Sequence, residues 1–238
     1  MVELPPMKQM GYDRAIVVFS PEGRMYQVEY ARKAVENLST TAVGVVFNNG
    51  VVLAAYKEMP KLLVPESLEK ISKIDEHIGM ASCGILADCR VLLEYARIKA
   101  QINRMTYSEP MELVALVKDI GDRKQKMTQV GGLRPFGVGL LVAGTDGSPH
   151  LYETDPSGTV REWYAHSIGR GSKNARKLLI EEYKEGLNKD KAIALTLKAL
   201  EAAEKKLVAK SVEIGIVEDG KFRVLPKEEV RELLKKTA

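Results

Sequence analysis

An asparagine–glycine turn between two apolar runs is the feature that most constrains how this chain folds. Asn48-Asn49-Gly50 separates residues 41–47 from residues 51–56. Asparagine and glycine both tolerate positive φ, so this pair favours the tight turns that connect antiparallel strands. The pattern therefore predicts a β-hairpin across residues 41–56.

The other predicted elements fall into blocks of the same kind. Two more hairpins are expected, at residues 71–83 and 212–225. The remaining elements are strands at 138–145, 150–154 and 159–168, and helices at 86–105, from 108 past 120, at 172–183, at 189–206 and from 226 onward. Short turns join the strands of a block and the helices come in pairs, which argues for antiparallel sheets. The order predicts an α+β fold in one domain, a four-layer helix–sheet–sheet–helix sandwich of two antiparallel sheets.

Apolar residues at helical spacing predict the buried faces of the first helix pair. For the helix at 86–105, the predicted stripe consists of Val91, Tyr95, Ile98 and Ile102. For the next helix, which is expected to start at a Ser108 cap, the inward residues are Leu113, Leu116, Val117 and Ile120. Residues 131–137 contain too much glycine and proline for a regular element, so they predict a loop.

Composition restricts the classes of function. Of the 238 residues, 45% are hydrophobic and 29% are charged, as in a soluble globular protein. The net charge is +4, but the basic residues are spread among 32 acidic ones and form no block, so nucleic-acid binding is not expected. The longest apolar stretch, near 138–143, is too short to span a bilayer, and residues 1–10 lack a signal-peptide pattern. We therefore expect a cytoplasmic protein that does not contact membranes.

Two local patterns allow either a purely structural role or a binding or redox site. Cys83 and Cys89 lack CxxC spacing and clustered histidines, which favours reduced core thiols over a disulfide or a metal site. Gly169-Arg170-Gly171-Ser172-Lys173 allows a phosphate loop, but it lacks the P-loop spacing and fits a strand-to-helix turn. We expect neither a metal nor a cofactor.

The segment from Gly11 to Val35 changes character within a few residues. Residues 15–19 are apolar and suit a buried extended segment. Ser20 and Pro21 are favoured at the start of a helix, so a helix is expected from Arg24. Two sets of residues share a side of that helix, namely the apolar Met25, Val28, Ala31 and Val35, and the tyrosines Tyr26 and Tyr30. From the residues alone, an ordinary N-terminal helix packed on a core also fits this pattern.

The same segment resembles the N-terminal signature of proteasome core-particle α subunits of the archaeal type. The resemblance is carried by Tyr12-Asp13-Arg14, Phe19-Ser20-Pro21-Glu22-Gly23-Arg24 and Gln27-Val28-Glu29-Tyr30-Ala31. It covers essentially the whole chain and implies the proteasome-subunit fold, which N-terminal-nucleophile hydrolases share. It divides the chain into a flexible gate tail at residues 1–11 and a single α-type domain at residues 12–238.

Thr40 decides which kind of family member is expected. By resemblance, catalytic subunits expose an N-terminal threonine whose free amine is the base for its own hydroxyl. Thr40-Thr41-Ala42-Val43-Gly44 is similar to their first strand, but Asn37-Leu38-Ser39 precedes it, without a glycine for self-cleavage. We therefore expect Thr40 to be an ordinary strand residue in a non-catalytic subunit. The alternatives are a self-processing N-terminal-threonine hydrolase and a single-chain binding protein that uses the same fold.

The resemblance also implies partners and site residues. A non-catalytic member forms a homo-heptameric α ring on the β subunits, which degrade unfolded protein substrates, and it docks an ATP-dependent regulatory particle through that particle's C-terminal tails. The implied gate residues are Tyr12, Asp13, Pro21 and Tyr30. The implied activator-binding pocket consists of Lys70, Gly84, Ile85, Met25 and Val28. The implied pore loop is Arg134, Pro135, Phe136 and Gly137.

Two of these assignments are open at the level of residues. Without the resemblance, Lys70 would be assigned to the solvated surface. Leu38-Ser39 stands where many α subunits have a glycine before the two threonines, and glycine allows a backbone amide to approach a ligand closely. The edge of the implied pocket near Leu38 is therefore undetermined.

Overall fold

The hairpin predicted at the asparagine–glycine turn lies in the middle of a sheet. The computed structural model describes residues 17–204 and 206–237. In it β1 (Ala42–Phe47) pairs antiparallel with β2 (Gly50–Tyr56), and Phe47 lies opposite Gly50. Helix α1 (Tyr26–Leu38) precedes this hairpin.

Together with this hairpin, the remaining elements form two five-stranded antiparallel sheets and two helical layers. The strands are β3 (Ile71–Asp75), β4 (Ile78–Gly84), β5 (Val138–Thr145), β6 (Pro149–Thr154), β7 (Val160–Glu162), β8 (Ala165–Ile168), β9 (Val212–Glu218) and β10 (Lys221–Val224). The helices are α2 (Leu86–Tyr107), α3 (Leu113–Met127), α4 (Ser172–Glu182), α5 (Lys189–Glu204) and α6 (Lys227–Thr237), with 3₁₀ turns at Pro65–Ser67 and Ala209–Ser211. The strand orders are β10-β9-β2-β1-β8 and β3-β4-β5-β6-β7.

Alternating side chains on the strands build three apolar cores. On β2, Leu53 faces the second sheet, whereas Val52 and Ala54 face the helices α4 and α5. On β5, Leu141 faces the first sheet, whereas Leu140 faces α2 and α3. Each sheet is therefore apolar on both faces, as the period of two along a strand requires when both faces are covered. The predicted four-layer helix–sheet–sheet–helix sandwich is confirmed.

The strand predicted at 159–168 is wrong, because this segment contains two strands in different sheets. Strand β7 pairs with β6, whereas β8 pairs with β1. Between them, the Trp163 N–H donates to Leu151 of the second sheet at 2.9 Å, and the Tyr164 carbonyl accepts from Val46 of the first sheet at 2.8 Å. The crossing point is fixed by these partners, which are distant in sequence.

The predicted Ser108 cap is also wrong. Ser108 ends α2 instead, with φ at 60° and its N–H donating to the Arg104 carbonyl at 2.9 Å. Helix α3 begins at Leu113, and the Leu113 N–H donates to the Asp146 carboxylate at 3.0 Å. The turn between β5 and β6 therefore supplies the cap. The inward residues predicted for α3, Leu113, Leu116, Val117 and Ile120, are all fully buried, as expected.

The buried face predicted for α2 is wrong for three of its four residues. Val91, Ile98 and Ile102 are 42%, 58% and 54% exposed. Tyr95 is partly buried and packs against the core of the second sheet. The face that packs on the second sheet instead carries Cys89, Leu92, Leu93, Ala96 and Ala100. The inward face therefore combines two leucines with small side chains, while the β-branched Val91, Ile98 and Ile102 point outward.

The start of α1 also differs from the prediction. Residues 15 and 16 lie outside the described residues, and Val17, Val18 and Phe19 are 44%, 45% and 63% exposed rather than buried. Residues 20–24 form a turn, and α1 begins only at Tyr26, with Met25 before it. The predicted apolar face is confirmed for Val28, Ala31 and Val35, which are buried, and the Tyr26 and Tyr30 rings stack at 6.4 Å.

Three further observations bear on the composition-based predictions. Cys83 and Cys89 are buried free thiols, as predicted. In the ranges 17–204 and 206–237, no group of three His, Cys, Asp or Glu side chains is placed to hold a metal ion. Among the helices in the part of the chain that the structure describes, none is long and apolar enough to cross a membrane.

Candidate functional site

Lys70 is buried, and its amine lies against the junction between α1 and β1. The residue is 5% exposed. Its Nζ donates to Thr40 Oγ1 at 2.5 Å, to the Thr40 carbonyl at 3.1 Å and to Ser39 Oγ at 3.3 Å. Three acceptors match the three N–H groups of an ammonium, so these contacts satisfy the buried charge. The sequence without the resemblance assigned Lys70 to the solvated surface, and this assignment is wrong even for a single chain.

A thiol completes the surroundings of this amine. Cys83 Sγ donates to the Thr40 carbonyl at 3.0 Å and lies 3.9 Å from the Lys70 Nζ. Burial raises the pKa of the Cys83 thiol, and the Lys70 charge opposes that shift only in part. Because a protonated buried thiol is a poor nucleophile, Cys83 acts here as a packing residue.

The opposite side of the junction is held by a second charged group. The Thr41 N–H and hydroxyl donate to Glu204 Oε1 at 2.8 and 2.7 Å. Arg170 donates to the other Glu204 oxygen at 2.9 Å, and the Gly171 N–H donates to Thr41 Oγ1 at 3.0 Å. Gly169-Arg170-Gly171 is thus a strand-to-helix turn that binds the chain's own Thr41, as the plainer interpretation of the sequence predicted.

The surroundings of Thr40 include one group that could activate its hydroxyl as a nucleophile, but they lack the free amine that N-terminal threonine catalysis needs. A threonine hydroxyl beside a lysine amine is an arrangement that activates nucleophiles. The Thr40 hydroxyl, however, donates to the Tyr56 carbonyl at 2.5 Å, and its nitrogen is in a peptide bond with Ser39. The peptide bond is evident from the sequence but the lysine contact is not, because Lys70 is thirty residues away.

The implied pocket wall and the implied pore loop are in direct contact. The Ile85 N–H donates to the Gly137 carbonyl at 2.9 Å. Gly84 has a φ of +122°, and a Cβ there would lie 2.1 Å from the same oxygen. Only glycine fits at such a position, since the conformation and the close approach both exclude a side chain. Two sites that the resemblance implies separately therefore form one continuous surface.

Asp88 joins this surface together, although no motif in the sequence marks it. Its carboxylate accepts two bonds from the Arg134 guanidinium, at 2.6 and 2.7 Å, and one from the Gly137 N–H at 2.8 Å. Burial favours the neutral acid, but the bonds from Arg134 and Gly137 outweigh it and hold the pKa of Asp88 below its usual value. The sequence feature that could have pointed to Asp88 is a carboxylate in the first turn of a helix, on the face that the helix buries.

This chain is similar to known proteins both in its main domain and in its N-terminal segment. The family model for proteasome subunits matches residues 36–218, and the model for the N-terminal signature of A-type proteasome subunits matches residues 12–34. The chain belongs to the proteasome subunit family, in its α-type branch. Three relatives that are named as proteasome alpha subunits illustrate the similarity.

The relatives are archaeal and match along nearly their whole length. The one from Pyrococcus horikoshii is 51% identical over 237 residues, which cover 98% of this chain and 90% of the relative. The one from Methanoregula boonei is 53% identical over 232 residues, covering 95% and 96%. The one from Archaeoglobus fulgidus is 49% identical over 245 residues, covering 97% and 99%.

Within the signature of this α-type proteasome subunit, two of the four implied gate residues are described. Tyr12 and Asp13 lie outside the described residues. Pro21 occupies a turn that is closed by the Ser20 N–H donating to the Arg24 carbonyl at 2.9 Å and by the Gly23 N–H donating to the Ser20 carbonyl at 2.8 Å. Tyr30, on α1, is 40% exposed.

The five residues of the implied pocket do not come together within one chain of this proteasome subunit. Met25 and Val28 line an open groove of about 640 Å³ at the start of α1, together with Phe19 and Gln129. Lys70 contacts Ser39 and Thr40, beyond the other end of the same helix. A helix of 13 residues is about 20 Å long, so the two groups lie that far apart along α1.

Proposed function

We propose that this chain is a non-catalytic α subunit of the proteasome core particle in the cytoplasm. It forms an outer homo-heptameric ring on the β subunits, which carry out the protein degradation. Its N-terminal tail gates the entry of unfolded protein substrates, and its ring docks the C-terminal tails of an ATP-dependent regulatory particle. Membership of the α-type branch and the similarity to proteasome α subunits support this assignment.

The observation that carries the non-catalytic role is the state of Thr40. An N-terminal-nucleophile mechanism requires a free α-amine on the threonine, and this nitrogen is acylated by Ser39. The preceding helix α1 is packed on the core through Val28, Ala31 and Val35. Freeing the Thr40 amine would require cleavage of the Ser39–Thr40 peptide bond directly after this packed helix. The Lys70 amine therefore stabilises the junction rather than a reacting hydroxyl.

The position of the pocket residues supports a ring. Because Lys70 lies beyond one end of α1 and Met25 and Val28 lie at the other, all of them border one pocket only when neighbouring copies contribute opposite ends. Such a head-to-tail contact is heterologous, and it closes into a ring when the rotation between copies closes. In the proposed pocket, a terminal carboxylate replaces one of the present acceptors of the Lys70 amine, Ser39 Oγ or the Thr40 carbonyl, and Gly84 and Ile85 form the wall.

The proposed gate uses the chain before α1 and the loop at residues 134–137. The tail at residues 1–11 contains Pro5, Pro6 and Gly11, which disfavour a helix. Tyr12 and Asp13 of one copy are proposed to brace the Pro21 turn and Tyr30 of a neighbour, so that the tails open together. Residues 134–137 line the inner constriction through which the unfolded chain passes.

The competing function is a self-processing hydrolase, which the short contact between Thr40 Oγ1 and Lys70 Nζ favours. Native mass spectrometry of the purified chain, alone and with its cognate β subunit, separates the two. We expect rings of uncleaved chains that gain peptidase activity only with β. A chain that is cleaved before Thr40 or Thr41 and is active alone would overturn the proposal. A monomer that does not bind β would support a single-chain binding protein instead.

A further inference from the structure

One carboxylate holds both ends of the 134–137 loop. Asp88 binds the Arg134 guanidinium at the start of this loop and the Gly137 N–H at its end. Asp88 is 7% exposed, whereas the side chain of Arg134 is 58% exposed. The anchor therefore lies inside the molecule, on the first turn of α2, and the loop is pulled down onto it.

The chain just before this loop has few other anchors. Gly131 and Gly132 face open space, since a Cβ on either would meet no atom within 4 Å. In this stretch, the Thr128 hydroxyl and the Leu133 N–H donate to carbonyl groups only three residues earlier in the chain. Such local bonds shape the stretch but do not attach it to the core. Within the loop, Phe136 packs against the core of the second sheet, and Asp88 supplies the polar attachment of the two ends.

The end of the loop is in turn built into the proposed pocket wall. The Gly137 carbonyl accepts from the Ile85 N–H, and Gly84 leaves no space for a side chain between them. A Cβ on Gly137 would lie 2.7 Å from the Ile85 side chain. A displacement of Ile85 is therefore transmitted directly to Gly137, because packed groups in close contact do not deform independently.

We propose that Asp88 is the positioning residue that fixes the 134–137 loop to Gly84 and Ile85, so that pocket wall and constriction move as one body. This inference rests on the proposed function and names Asp88 as the residue that holds the loop of the inner constriction in place. Asp88 does not touch substrate. It sets the width of the opening by holding Arg134 and Gly137 at a fixed separation from α2.

The test uses the full chain assembled with its cognate β subunit. Two forms of one unfolded protein are degraded, a linear form and a form closed by an internal disulfide, which must pass as two strands at once. We expect Asp88→Asn to raise the rate for the closed form relative to the linear form about threefold. The control is Asp119→Asn, which removes a carboxylate from the more exposed pair between Lys99 and Asp119 at 2.9 Å and should leave the ratio unchanged.

A second readout distinguishes positioning from a general loss of stability. In Asp88→Asn, amide hydrogen exchange should become faster in residues 131–137 and at Ile85, while the thermal midpoint of the particle stays close to that of Asp119→Asn. The double variant Asp88→Asn with Arg134→Gln should change the ratio no more than Asp88→Asn alone. Both substitutions disrupt the same contact, between the Asp88 carboxylate and the Arg134 guanidinium, so their effects should not add. Exchange that increases evenly across α2, or additive effects, would overturn the inference.

Failure of the inference is distinguishable from failure of the proposed function. Gly131→Trp places a large ring in open space beside the loop and should slow the closed form if the loop borders the pore. If Gly131→Trp slows it and Asp88→Asn leaves the ratio unchanged, the constriction stands and the role of Asp88 is wrong. If neither variant changes the ratio, residues 134–137 do not border the pore, and both the proposed constriction and the role of Asp88 fail.

Discussion

At the scale of single residues, Lys124 makes the stability of the protein depend on pH. This lysine is fully buried on α3, and its amine donates to Thr154 Oγ1 at 2.6 Å and to the carbonyl groups of Thr154 and Val138 at 3.0 Å. Burial lowers the pKa of Lys124 to about 7, and the charge of Asp155 opposes that shift only in part. The unfolded chain has a pKa near 10.5 at this residue. Between these values the unfolded state binds more protons, so the free energy of unfolding rises with pH.

The expected size of this effect is measurable with a matched pair of variants. From pH 7 to pH 9, the free energy of unfolding of the wild type should rise by about 2 kcal/mol relative to that of Lys124→Met. Lys126→Met, on an exposed position of the same helix, should follow the wild type. Urea unfolding at each pH provides the comparison. A pH dependence shared by wild type and Lys124→Met would show that the native state keeps Lys124 charged.

Residue roles were predicted from sequence only where a motif marks the position. The resemblance led to Lys70, Gly84 and Gly137, but not to their surroundings, since their partners are set by strand pairing. Asp88 was missed for the same reason, because Arg134 and Gly137 lie 46 and 49 residues away. Contacts of this kind become visible only when the register between β4 and β5 is known.

At the scale of elements, α2 shows why a helical stripe can be assigned to the wrong side. Both faces of this helix carry apolar residues, so the periodicity does not identify the buried one. The face on the sheet contains Ala96 and Ala100, whereas Ile98 and Ile102 remain exposed. The exposed residues are available for contacts between subunits, which the proposed ring on β subunits would supply.

Helix α3 gives a prediction at this scale, because its cap comes from another element. The Asp146 carboxylate accepts the Leu113 N–H at 3.0 Å. Asp146→Ala should lower the free energy of unfolding by about 1 kcal/mol, the usual cost of a lost N-cap. Asp122→Ala, at an exposed position on α3, controls for the loss of charge and should change it by less than about 0.5 kcal/mol. Urea midpoints that are equal for the two variants would show that solvent replaces the Asp146 contact.

At the scale of the whole molecule, the architecture followed from the order of its elements. Hairpins, paired helices and apolar strands led to two stacked sheets, because each apolar face needs cover. The crossing at Trp163 and Tyr164 was not predicted, since nothing local marks where a strand leaves one sheet for the other. That crossing places β8 beside β1 and so positions Gly169-Arg170-Gly171 against Thr41.

The proposed gate leads to a prediction that only the assembled molecule can test. If the tails close the pore, deleting residues 2–12 should raise the unstimulated degradation of an unfolded protein by about tenfold or more, as expected when a gating step limits entry. Hydrolysis of a short peptide should rise less, since a peptide passes a narrower opening. A tail of the same length and scrambled sequence separates simple obstruction from closure by a specific tail sequence. If scrambling also opens the pore, closure depends on the sequence of the tail. If scrambling keeps the pore closed, length alone blocks entry. An unchanged rate after deletion would mean that the tails do not gate this particle.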